Sequence, residues 1–216
     1  MFVYDFARPT EEQEIHEFLQ LYYLLREPLN QAAQIRLEDF QPVIRGVTER
    51  CLDNQLSVTC RHKETNELVG IMLCSIWDRS EESESYYNTS TRNDQLAAVH
   101  DEIVNIVHNS FWKLVDPTVK RVIHQEMSSV SDEYQRKGIA TGMLNFFMDR
   151  RLDEIHDADG IVSEVSSLAN QKFLKKKNFE TLFVLRYDNW RDSNGEVFIQ
   201  PSDGSQQMEL MWKPLR

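Results

Sequence analysis

The sequence predicts a mixed α/β fold in which helices flank one central sheet. Three observations carry this. Apolar residues make up 41% of the 216 residues, enough for a core. Short apolar runs of strand length alternate with amphipathic stretches of helical period. The run Val122 to Val130 passes through a polar loop, with its one glycine at Gly138, into a helical pattern reaching about Arg151. A strand, a short glycine loop and a helix in that order are the repeating unit of α/β proteins.

The elements follow in order. Val3 to Phe6 reads as a first strand. Thr10 with Gln13 forms a capping box, and Ile15, Phe18, Leu19 and Tyr22 fall on one helical face. That helix ends near Glu27, because Pro28 disfavours a helical residue before it and cannot continue the bonding. A second helix runs from about Asp39 to Leu52, with Val43, Val47 and Cys51 four apart. Leu56, Val58 and Cys60 alternate as a strand, Lys63 to Glu67 turns, and Leu68 to Trp77 returns as the other arm of a hairpin. Asp78 to Asp94, acidic and rich in serine, is expected to be a mobile loop. Asp94 to Val115 is helical, with Leu96, Val99, Ile103, Ile106 and Val107 on one side.

The second half continues with the strand Val122 to Val130 and a helix lined by Met143, Leu144, Phe147 and Leu152. Ile161 to Val165 is short and β-branched, hence a parallel strand reached by a right-handed crossover. Leu168 to Lys177 is a short helix closed by Asn178, a residue that tolerates the left-handed conformation. Leu182 to Tyr187 and the Met208, Leu210, Trp212 alternation are the last strands, joined through Asn194-Gly195 and Asp203-Gly204. No repeat or linker interrupts the chain, so residues 1–216 are expected to form one domain.

Composition narrows the partners. A net charge of -11 disfavours nucleic acid and anionic membranes and favours cationic ligands such as amines. No apolar run is long enough to span a bilayer. Met1 to Asp5 lacks the basic and apolar segments of a secretion signal. Cys51, Cys60 and Cys74 are odd in number, and their spacing suits neither zinc nor a disulfide framework. A cytoplasmic, reduced setting is expected, with the protein a monomer or weak dimer. The six histidines show no metal-ligand spacing, and His100 and His108 lie eight apart, so no metal is expected.

The most informative stretch is Gln135-Arg136-Lys137-Gly138-Ile139-Ala140. At a helix start the first amides lack intrahelical partners and the dipole adds partial positive charge. Gly138 and Ala140 keep the surface low, and Arg136 and Lys137 add charge, which together suit a pyrophosphate. The pattern Gln/Arg-x-x-Gly-x-Gly/Ala resembles the coenzyme A loop of the GNAT acetyltransferases. The bland alternative is an ordinary strand-to-helix turn.

The element order resembles the GNAT fold over nearly the whole chain. That implies a mixed sheet of about seven strands, splayed at the cofactor site, and acetyl-CoA as co-substrate. Arg26-Glu27-Pro28-Leu29-Asn30 is similar to a segment of the insect and nematode arylalkylamine N-acetyltransferases, in which the matching glutamate is the proposed general base. Ser166-Ser167-Leu168-Ala169-Asn170, followed by Phe173 and Asn178-Phe179, resembles that family's Ser-x-x-x-Ser segment and the helix after it. Asn170 replaces the second serine, Asn178 replaces a glycine, and Leu174 stands where many GNAT enzymes carry a tyrosine general acid.

Acetyl transfer to an amine explains why such residues are needed. An ammonium has no lone pair, so a carboxylate such as Glu27 must take its proton, directly or through water. Backbone amides around Ser128, Ser129 and Val130 suit the oxyanion and the pantetheine arm. Ser166, Asn170 or a water can serve the leaving thiolate. Tyr22, Tyr23, Trp77, Tyr86, Tyr87, Phe111 and Trp112 are candidates for an aromatic amine pocket, with core packing as the alternative. Lys172, Lys175, Lys176 and Lys177 suit either the 3′-phosphate of coenzyme A or a solvated helix end. Transfer to a small arylalkylamine is the leading expectation. Polyamine or peptide amine transfer, and an acyl-CoA-binding module without turnover, are the rivals.

Overall fold

The computed structural model describes residues 1–81, 95–150 and 156–215. A seven-stranded sheet runs in the order β1-β2-β3-β4-β5-β7-β6. Its strands are β1 (Phe2–Phe6), β2 (Val58–His62), β3 (Leu68–Asp78), β4 (Arg121–Val130), β5 (Gly160–Val165), β6 (Glu180–Arg186) and β7 (Gln207–Pro214). All neighbours are antiparallel except β4 and β5. The predicted β2–β3 hairpin is present, with Asn66 left-handed at φ 59° in its turn. Most of the proposed loop from Asp78 to Asp94, with Tyr86 and Tyr87, and the position of Leu152 lie outside the described residues.

Helices cover both faces, as near-continuous apolar strands require. α1 (Glu12–Leu19), α2 (Pro28–Ala32), α3 (Leu37–Asp53), α4 (Gln95–His108), α5 (Phe111–Leu114), α6 (Ile139–Asp149) and α7 (Leu168–Lys176) are the α-helical segments among the described residues. Alternation along β3 divides the core. Ile71 and Leu73 join one cluster with Phe18, Phe40 and Val104, while Met72 and Cys74 join the other with Met143 and Phe147. Each such side chain, when fully buried, contributes about 1.5–3 kcal/mol. α6 lies close to β1, and only a glycine fits at Gly142, where a Cβ would stand 2.0 Å from the Tyr4 hydroxyl.

Four local expectations are corrected. The first capping contact is made by Glu11, whose carboxylate accepts the Arg8 N–H at 2.9 Å; Thr10 sits inside a short 3₁₀ turn. The first helix does not run intact to Glu27. It widens into a π-turn over Gln20–Leu24 before Glu27 turns extended. The expected helix from Asp94 to Val115 is broken between α4 and α5, and Ile106 is 37% exposed while Val104 takes the buried position. Leu56 is buried but precedes β2.

β4 and β5 begin parallel and part almost at once. Their pairing is limited to Ile123 with Ile161 and His124 with Val162. β4 stays paired to β3 as far as Val130, and β5 stays paired to β7 as far as Val165. A bulge interrupts the β3–β4 register at Glu126, between the Met127 and Gln125 pairs. The sheet therefore opens a cleft at the carboxyl ends of these two strands.

Candidate active site

A cleft of about 530 Å³ fills this opening. Its walls are β4, β5, the mouth of α6, the start of α7, the π-turn and Glu27. Of the predicted site residues, Glu27, Ser128, Ser129, Val130, Gln135, Arg136, Gly138, Ile139, Ala140, Ser166, Asn170 and Phe173 all line it. Lys137 does not. Its ammonium lies over the Tyr134 ring, 4.7 Å from the centroid.

The loop before α6 is built by two left-handed residues, Arg136 at φ 58° and Gly138 at φ 82°. Gly138 is the N-cap, and its carbonyl accepts the Gly142 N–H at 2.8 Å. Nothing lies within 4 Å of a Cβ added there, so φ rather than crowding by the protein demands glycine. Ile139 sends its side chain into the core, 2% exposed, which leaves the first amides of α6 for the cleft. Past His124, the side of β4 facing β5 is released from ladder pairing, with Ser163 Oγ donating to the Gln125 carbonyl at 2.9 Å. Ser129 Oγ donates to the Tyr22 carbonyl at 2.5 Å and fixes the π-turn against β4. π-turns concentrate at functional sites.

Glu27 is the N-cap of α2. It accepts the Asn30 N–H at 2.6 Å, and Pro28 occupies the first helical position, where no N–H is needed. Ser166 Oγ donates to its other carboxylate oxygen. Burial raises the Glu27 carboxyl above its ordinary value, against the pull of Ser166 and the α2 amides. Ser167, not Ser166, caps α7 by accepting the Asn170 N–H at 3.3 Å. Ser166 is thus free of the capping role and committed to Glu27.

Three further carboxylates line the cleft that sequence reasoning missed. Asp203 accepts the Leu168 N–H at 2.7 Å at the start of α7. Glu126 is buried and paired with Arg50 at 2.5 Å. Burial opposes its ionisation, but Arg50 and His124 hold it below the ordinary value. Glu164 accepts from His124 Nε2 at 2.6 Å and His108 Nδ1 at 2.9 Å. Burial works against this charge too, yet the two imidazoles keep the carboxyl far below its usual range. A signal was available: Glu126 and Glu164 are charges inside strands otherwise built for burial, which demands partners.

His108, His124 and Glu164 offer ligand atoms within 4.8 Å of one another. Their 2.6 and 2.9 Å contacts are N–H···O hydrogen bonds, shorter than the roughly 3.3 Å between ligands that tetrahedral Zn–N bonds of ~2.0–2.1 Å impose. Tyr22 and Tyr23 do line the cleft, whereas Trp77, Phe111 and Trp112 pack together in the core. Leu174 is fully buried and Phe173 faces the cleft instead. Lys175 is paired with Glu209 at 2.8 Å, which favours the solvated-helix reading of that lysine run.

No family model and no curated protein matches the chain. Solved structures do. A mosquito arylalkylamine N-acetyltransferase-like 5b protein is 17% identical, covers 100% of both chains and superposes with a TM-score of 0.78. The Drosophila melanogaster polyamine N-acetyltransferase that forms N-acetylagmatine is 13% identical, with 100% of both chains covered and a TM-score of 0.78. The C-terminal condensation domain of Ebony, in complex with β-alanyl-dopamine, is 16% identical over 100% of this chain and 99% of its own, with a TM-score of 0.76. The fold is therefore that of the GNAT acetyltransferases. No helix among the described residues is long and apolar enough to cross a membrane.

Proposed function

We propose that this protein is an acetyl-CoA-dependent N-acetyltransferase acting on a small primary amine, with an arylalkylamine as the leading class. One observation carries the reading: a helix mouth, two parted strands and the Glu27–Ser166 pair open into the same cleft. The amides of Arg136 to Ala140 hold the pyrophosphate. The released edge of β4 around Ser128 to Val130 receives the pantetheine arm and donates to the oxyanion. Phe173 and Asn170 complete that wall.

Glu27 removes the ammonium proton and frees the nitrogen lone pair. The nitrogen bonds to the thioester carbonyl carbon, and the C–S bond then breaks. The nitrogen gives up its second proton as the intermediate collapses. That proton reaches the departing thiolate through Ser166 or a water held there, while Asn170 donates a hydrogen bond, and Glu27 returns the first proton to solvent. Tyr22 and Tyr23 supply aromatic surface for the amine. Asp203 on the same cleft favours a second cationic group, which supports polyamines as the rival class, whereas Glu126 and Glu164 are already compensated by Arg50 and by His124.

A thiol-release assay with acetyl-CoA against a panel of amines tests this. Turnover separates an enzyme from a binding module, and the preferred amine separates the two substrate classes. Gly138→Val is expected to weaken acetyl-CoA binding more than tenfold, above ~1.4 kcal/mol. It strains a left-handed position and puts bulk on the helix mouth. Undiminished affinity in a folded variant removes this loop as the pyrophosphate site.

Ser166→Ala is expected to lower kcat with acetyl-CoA affinity nearly intact, the mark of an interaction used in the transition state. Ser167→Ala is expected to lower stability by roughly 0.5–2 kcal/mol instead, because it removes a cap. A Ser166→Ala protein that turns over normally takes Ser166 out of the chemistry.

A further inference from the structure

Behind Glu27 lies a second, small cavity of about 30 Å³, lined by Glu27, Asn30, His100, Glu164 and Ser166 among others. His100 and Asp101 sit on α4, 2% and 7% exposed, and neither lines the larger cleft. Asp101 Oδ1 is 3.1 Å from His100 Nδ1, and His100 Nε2 is 2.9 Å from Asn30 Oδ1. The backbone N–H of Asn30 in turn holds Glu27. The chain of contacts therefore runs from Asp101 through His100 and Asn30 to the carboxylate read above as the base.

We propose that Asp101 and His100 are positioning residues that, through Asn30, hold Glu27 in place and couple its charge to that of a buried imidazole. This rests on Glu27 being the general base, and it adds two residues that lie outside the substrate cleft. Geometry supplies the coupling. The Asp101 carboxylate takes the Nδ1–H of the ring. A charged ring then donates through Nε2 as well, so Asn30 must present its carbonyl to His100, as it does here. The Asn30 Nδ2, buried and without an acceptor among the described residues, is left beside the cavity that Glu27 shares.

A neutral ring accepts at Nε2 instead. It calls for a half-turn of the Asn30 carboxamide, which brings the carbonyl to the cavity. One ring state thus offers a donor next to Glu27, suited to a carboxylate. The other offers an acceptor, suited to a carboxylic acid. A charged His100 also draws the Glu27 carboxyl down against its burial. Among the described residues, the other charged or titratable groups facing this pair include Glu126 from β4, Glu164 from β5, Tyr23 from the π-turn and Tyr187 beyond β6.

The test is the carboxyl titration of Glu27, followed by ¹³C NMR and assigned with Glu27→Gln. In His100→Gln, which keeps polar contacts and loses the charge, the midpoint is expected to rise by roughly half to one pH unit. Asp101→Asn should move it less than His100→Gln does, because the ring's lost charge is offset by the loss of the Asp101 charge itself. The acidic limb of kcat against pH should follow, with acetyl-CoA affinity unchanged. A folded His100→Gln protein with an unmoved midpoint overturns the proposal. If the midpoint moves but wild type transfers acetyl to no amine, the coupling stands and the general-base reading fails. Should both variants misfold, the His100 ring signals in Glu27→Gln give the reciprocal measurement. Their midpoint must fall when the neighbouring carboxylate is lost, and no change overturns the coupling.

Discussion

Glu27→Gln is expected to lower turnover by about 10²–10⁴ at neutral pH, and to leave the protein at least as stable as wild type there. The two effects have one cause. Burial holds the Glu27 carboxyl above its ordinary value, so the folded state disfavours the charge that catalysis needs. The sign follows from linkage. A carboxyl raised on folding makes the folded protein lose stability as pH rises from the unfolded value of ~4.3 through the folded value. Above that, the penalty is constant. Glutamine keeps an oxygen for the Asn30 N–H and turns its NH₂ toward Ser166 Oγ, a hydroxyl that can accept as well as donate, and it carries no such penalty. The Tm difference, variant minus wild type, should therefore grow upward from about pH 4 and then level off. The rate deficit should shrink at high pH, where the amine is already neutral. A near-wild-type rate at neutral pH would make Glu27 a structural neighbour only, and a Tm well below wild type at pH 8 would contradict the account of its burial.

Local signals carried most of what was legible in the sequence. Gly138 marks a left-handed residue at a helix mouth, and both its strand and its helix are adjacent in the chain. Glu27 is followed by a proline that fixes it as extended, so its capping geometry is local too. The partner of Glu27 is not local. Ser166 lies 139 residues away, and the choice between Ser166 and Ser167 as the cap depends on how β5 leads into α7. Glu126 and Glu164 were overlooked because their side-chain partners, Arg50 for the first and His108 and His124 for the second, come from other elements. His100 and His108, spaced eight apart on α4, lie against two separate carboxylates, Asp101 and Glu164. The π-turn was hidden because the apolar period of α1 continues into it, while its hydrogen bonding is set by β4 through Ser129.

Glu164→Gln is expected to destabilise the protein by about 3–5 kcal/mol, the usual range for removing one partner from a buried ion pair. A carboxylate accepts from both imidazoles, but a carboxamide has one oxygen and must turn an NH₂ toward the other ring. The pH dependence separates this from a packing defect. Glu164 is held far below its ordinary value, so its contribution is present above ~4.3 and is lost as pH falls through the lower folded value. For His124, burial opposes the charge, but Glu164 outweighs it and raises the ring above its ordinary value. Its contribution is complete below ~6.5 and is lost as pH rises through the higher folded value. The two windows overlap between about pH 4.5 and 6.5, where wild type should exceed the variant most. Urea unfolding of both proteins from pH 4 to 9 measures the difference directly. A gap that stays constant across that range would mean that Glu164 acts by filling space, and that the charge shared with His108 and His124 does not stabilise the floor of the cleft.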